Sequence, residues 1–164
     1  MPPVEIHLAL NHVPVVGFAG ALAILVWGVL RRDEEVQRVG LAACVAVALL
    51  TIPVYFTGEP AEDVAEQLPG VTHDVIENHE EAAKYAFISS SLCGAVALLG
   101  MIVWRSPERR AFALRATLVL CVATTAMIGR TAMLGGQIRH TEVRAGAAVN
   151  APAELERDAK QTRD

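Results

Sequence analysis

Long apolar stretches alternate along this chain with short charged connections. The apolar runs cover Val13 to Leu30, Val39 to Gly58, Tyr85 to Trp104 and Ala111 to Leu134, and the first three contain no charged residue. Each matches the roughly 20 residues that a helix needs to cross the hydrocarbon of a bilayer. A soluble four-helix protein would show polar faces recurring along each helix. Here the runs are apolar all round, which makes lipid the expected surroundings. The pattern predicts an all-α, four-helix transmembrane bundle of up-down-up-down order over residues 1–144, with no separate soluble domain between the spans.

The connections predict the orientation. Arg31, Arg32 and Arg38 sit in the first, and Arg105, Arg109 and Arg110 in the third, with Arg115 just inside the next run. By the positive-inside rule both face the cytoplasm. The middle connection, Glu59 to Glu81, has no Lys or Arg but carries Glu59, Glu62, Asp63, Glu66, Asp74, Glu77, Glu80 and Glu81. It belongs on the other side, and both termini with it, on the periplasmic or outer face of a bacterial inner membrane. The net charge of −4 thus hides a basic inner rim and an acidic outer one. Within residues 57–81, TGEPAEDV starts a short amphipathic helix through Leu68. Val64, Leu68, Val71, Val75 and Ile76 give this segment an apolar side suited to a lid or to the membrane interface. MPPVEIHLALNH lacks the features of a secretory signal and reads as part of the first helix. Residues 145–164, rich in Ala and charge, read as a mobile polar tail.

All five histidines, His7, His12, His73, His79 and His140, fall at the acidic end. Helical projection puts His79 on a stripe of Ala82, Ala83, Ala86, Ser90, Cys93, Gly94 and Ala97. His12 lines up with Val15, Val16, Ala19, Ala23, Val26 and Trp27. If the last helix continues through Gly135 and Gly136, His140 lies over Gly136, Met133, Gly129, Ala126 and Val122. Such small-residue seams serve close helix packing, yet ending in imidazoles they equally suit a flat macrocycle. Two neutral imidazoles on facing helices meet the needs of a six-coordinate haem b. His12, His79 and His140 are the leading ligand candidates, with His7 as an alternative ligand or supporting residue. Arg130 and Arg139 are candidates for the propionates, although Arg130 equally suits an ion pair or snorkelling to the interface. The competing reading is a mixed imidazole and carboxylate site for zinc, copper or iron from His12, Glu59, His79, Glu80 and His140.

His7 and His12 are five residues apart and diverge by about 140° on a regular helix, so one helix face cannot offer both to one centre. His73 reads as a loop or capping residue. The three cysteines, Cys44, Cys93 and Cys121, stand singly in three spans without CxxC spacing and read as inert buried thiols. No nucleophile with its base and no phosphate-cradling loop is evident.

The combination of HLALNHVPVVG, TGEPAED, LPGVTHDVIENHEEAA and GGQIRHTE resembles bacterial four-helix membrane proteins related to the domain-of-unknown-function family 2231. The resemblance covers roughly residues 5–144. It rests on His12 and Pro14 near the start and on Gly135, Gly136 and His140 near the end, with His79 between them. It implies a compact four-span membrane protein linked to haem or respiratory redox chemistry. The paired haems of four-helix cytochromes of the b561 type need histidines at both faces, and the inner half of this chain has none. The expectation is therefore one centre near the outer face, serving electron transfer with a redox partner or a quinone. The runner-up is a metal-binding or accessory membrane protein. Ala42, Ala43 and Ala46 offer a face for a homodimer, and no nucleic-acid partner is expected.

Overall fold

The computed structural model describes residues 2–68 and 70–140. Among them the chain is helical from end to end, without a strand: α1 (Pro3–Leu10), α2 (His12–Arg31), α3 (Glu34–Phe56), α4 (Gly58–Ala65), α5 (His73–Ile102) and α6 (Pro107–Arg139). Local chemistry sets several boundaries. Asp33 accepts hydrogen bonds from the Glu35 and Val36 amides at 3.0 and 3.1 Å, capping α3, a contact worth about 1 kcal/mol. Arg32 ends α2 in the left-handed region at φ 55°. Pro3 and Pro107 open their helices, where the missing N–H costs nothing.

α2, α3, α5 and α6 pack in a closed ring, α2 on α3, α3 on α5, α5 on α6 and α6 on α2. The interior holds Phe18, Leu25, Leu41, Cys44, Cys93, Ala97 and Cys121, none with any exposed surface. Missing side chains let the helices approach to backbone contact. A Cβ on Gly94 would stand 2.5 Å from Ala48 Cβ, one on Gly40 2.7 Å from Leu25 Cδ2, and one on Gly28 2.8 Å from the Gln37 amide nitrogen. The outside is as apolar as the inside: Val16, Leu30, Phe112, Val119 and Met133 are each about 70% exposed. Such a continuous greasy surface has no place in water. The bundle has four helices long and apolar enough to cross a membrane, the first formed by α1 and α2 together.

At one end Arg110 pairs with Glu34 at 2.7 Å, and the Arg38 and Arg110 guanidinium groups lie 5.7 and 5.2 Å from the centre of the Trp104 ring. At the other end α1 and α4 fold together beside the start of α5 and the end of α6.

Three expectations need adjusting. His73 is the first residue of α5 rather than a loop residue, because the helix begins well before the apolar run. The short helix of the middle connection is α4, ending at Ala65 rather than Leu68. The first span is interrupted at Asn11, which divides it into α1 and α2 while keeping helical φ and ψ of −58° and −24°. The diglycine does not stop α6, which runs through Gly135 and Gly136 to Arg139. The tail at 145–164 lies outside the described residues.

Candidate metal centre at the acidic rim

Helix rotation sorts the histidines. The inward face of α2 is Pro14, Phe18, Ala21, Leu25 and Gly28, so the stripe through His12, Val16, Ala19, Ala23 and Trp27 points outward. The stripe through Gly136, Met133, Gly129, Ala126 and Val122 is likewise on the outer surface of α6, whose inward face is Leu114, Thr117, Cys121, Thr124 and Ile128. Only the His79 stripe enters the bundle as projected, with Ala86, Ser90, Cys93, Gly94 and Ala97 buried. Close packing closes this seam at Gly94, where a Cβ would stand 2.5 Å from Ala48 Cβ.

Two imidazoles are held at this end. His79 Nδ1 lies 3.0 Å from the Thr131 carbonyl oxygen and His7 Nδ1 lies 3.0 Å from the Val54 carbonyl oxygen. A carbonyl only accepts, so each Nδ1 must carry the proton and donate it. Each Nε2 is left with its lone pair, the arrangement in which a main-chain carbonyl orients a metal-binding imidazole. The rings are half-buried and near enough for a charge on one to be felt by the other. Glycine makes room for His79, while Gly58 only borders His7 at ordinary contact distance. A Cβ on Gly135 would stand 2.9 Å from His79 Cε1, and one on Gly58 3.7 Å from His7 Cε1. α1 runs on from α2 through Asn11, whose φ and ψ stay helical at −58° and −24°, and His7 on it reaches the Val54 carbonyl of α3 and Gly58 of α4.

The remaining predicted site residues stay outside this pair. His12 begins α2 and His140 caps α6, its amide bonded to the Gly136 carbonyl at 2.9 Å, and both side chains are exposed. Glu59, Glu80, Arg130 and Arg139 are exposed around the same end. His73 faces Glu66 at 3.5 Å on the surface.

Negative charge concentrates here. The Glu62 carboxyl is pushed up to about 7, first by its burial and then by the charges of Glu80, Glu59, Asp63 and Glu66. Asn11 Oδ1 is buried nearby in sequence to His12 and has no hydrogen-bond partner among the described residues. Because folding raises the Glu62 pKa above its ordinary 4.5, the folded chain holds a proton that the unfolded chain has lost. Stability therefore falls as pH rises from about 4.5 through about 7. Thermal unfolding in detergent without added metal should show that fall, and Glu62→Gln should flatten it.

Sequence reasoning passed over one cluster. Cys44, Cys93 and Cys121 come from α3, α5 and α6 to a single point in the core, with their sulfurs within 4.8 Å of one another. The available signal was one cysteine in each of three spans.

No family model, characterised protein or solved structure matches this chain.

Proposed function

We propose that this protein is a multi-pass bacterial inner-membrane protein, with both termini outside, that binds one transition-metal ion at its outer rim through His7 and His79. The observation that carries the reading is the pair of imidazoles fixed through Nδ1 to main-chain carbonyls with both Nε2 atoms left as ligands. The up-down order and the sidedness are supported by the basic residues around Trp104 at one end and the acidic connection at the other. The resemblance to family 2231 belongs to the same proposal. A partly exposed pair needs further donors, and Glu62, Glu59 and Glu80 are the carboxylates at the same end that would supply them on binding. Zinc, copper and iron suit this mixed set.

Haem b is the other reading of the same imidazoles. Two observations favour the ion. The small-residue seam below His79 is closed at Gly94 by the packing of α5 on α3. The rim already gathers Glu59, Asp63, Glu66 and Glu80 around Glu62, whose carboxyl burial and then these charges push up to about 7, and two haem propionates would add to that negative charge. In this reading an ion serves metal binding or transfer at the outer face, whereas haem would serve electron transfer to a redox partner or a quinone.

The test is the purified full chain in detergent, analysed for metal content and by visible absorption before and after dithionite. The expected result is one equivalent of a transition metal and no Soret band. A Soret band with sharp reduced α and β bands would replace the ion by haem, and a chain that takes up neither would overturn both.

A further inference from the structure

The second cluster lies where no histidine reaches. Cys44, Cys93 and Cys121 are each fully buried, and Cys44 Sγ stands 3.9 Å from Cys121 Sγ. Metal–sulfur bonds of about 2.3 Å, the length found in zinc thiolates, place three sulfurs in a plane about 4.0 Å apart around an ion. The three helices already hold them near that spacing. Buried thiols also pack as small hydrophobic groups, so the neighbouring hydroxyl is the deciding feature. Thr51, Thr125 and Thr131 each donate to the carbonyl one turn earlier, at 2.8, 2.7 and 3.0 Å, and Thr124 bonds to Ser89 at 2.7 Å. Thr117 does neither. It is wholly buried, its Oγ1 has no hydrogen-bond partner among the described residues, and it lies one turn from Cys121 on the same inward face. Its carbonyl is 3.9 Å from Cys93 Sγ. A buried hydroxyl that forgoes its own helix carbonyl one turn from Cys121, on the residue whose carbonyl faces Cys93, is a donor left for what the thiols hold.

We infer that Cys44, Cys93 and Cys121 form a Cu(I) site in the centre of the bundle, with Thr117 as its hydroxyl donor. Soft thiolates select Cu(I), whereas zinc is almost always four-coordinate and no fourth His, Asp or Glu joins the cluster among the described residues. The apolar core also favours the lower charge, since the desolvation of an ion grows with the square of its charge. The buried polar residues described there are Thr51, Ser90, Thr117 and Thr124, with no cation to offset extra thiolates. Two thiols give up their protons to the solvent as Cu(I) enters, and the third sulfur ligates as the thiol. The complex then carries one negative charge, onto which Thr117 donates. Binding releases about two protons per ion and weakens as pH falls. Outward of the sulfurs along their helices, the buried polar residues are Ser90, Thr51 and Thr124, the last bonded to Ser89.

This inference stands apart from the rim site, and its test keeps the two separate. The full chain in detergent, reduced and anaerobic, is titrated with Cu(I) against a chromogenic Cu(I) chelator, and the loaded protein is examined by X-ray absorption. The expected result is one Cu(I) bound by sulfur, retained when His7 and His79 are both replaced by alanine. Cys93→Ala should weaken it at least about 100-fold, beyond the 10- to 100-fold typical of losing a supporting residue, and Thr117→Val by about 10-fold. Should a cysteine variant fail to fold, the sulfur shell of the wild-type protein and the Thr117→Val affinity decide. Copper bound only by nitrogen or oxygen, affinity unchanged in Thr117→Val and in the cysteine variants, or uptake of zinc in place of Cu(I) would overturn the assignment.

Discussion

Replacing His79 by alanine is expected to abolish tight metal binding at the outer rim while leaving the bundle folded. The ring is anchored to the Thr131 carbonyl and rests on Gly135, so its Nε2 has one direction to offer. Losing the partner that orients a ligand typically weakens metal binding 10- to 100-fold, and losing the ligand itself should exceed about 100-fold. His7→Ala should match it, because its imidazole is anchored in the same manner to Val54. His12→Ala and His140→Ala should change affinity far less, since both side chains are exposed and lie outside the anchored pair. Isothermal titration with zinc on the four variants reads this directly. Equal losses in all four would show that the site is a loose rim of imidazoles, and unchanged affinity in His79→Ala would remove the site.

The second large effect is on stability. Gly94→Ala should destabilise the bundle by about 1–3 kcal/mol, the range for overpacking a full core. The added methyl would stand 2.5 Å from Ala48 Cβ, and neither atom belongs to a side chain that can turn away. α3 and α5 must separate, which also draws Cys44 from Cys93 on the next position. Gly129→Ala is the matched control on α6. Nothing lies within 4 Å of a Cβ there, so the same change should stabilise by about 0.5–1 kcal/mol through the lower helix propensity of glycine. Thermal midpoints in one detergent should therefore move in opposite directions. A fall in both would mean that the α6 surface at Gly129 is covered, as it would be in a homodimer.

How far the sequence carried is clearest from individual residues. The all-helical bundle and the four apolar helices followed from the runs between Arg31, the acidic connection and Arg105, because twenty uncharged residues have few alternatives. The continuation of α6 through Gly135 and Gly136 was left open by the sequence, because glycine weakens a helix without stopping it. His79 facing inward was also legible, since its stripe is made of the smallest residues in the helix. His12 and His140 were not placed correctly by the same device. Their stripes contain small or aliphatic residues too, but so do the opposite faces of α2 and α6, and projection cannot choose between two apolar sides.

The sequence by itself determined that this chain makes helices long and apolar enough for a membrane, and that its histidines share one end with the acids of the middle connection. Periodicity, charge and length suffice for that, because each acts locally along the chain. Only the tertiary structure decided which imidazoles are anchored beside one another and that three lone cysteines meet. A helix apolar all round carries no moment to say which side turns inward. Its rotation is decided by where backbones approach closest, at Gly94 against Ala48, Gly40 against Leu25 and Gly28 against Gln37. Those rotations set His7, rather than His12, against α3 and α4 at the rim of the bundle.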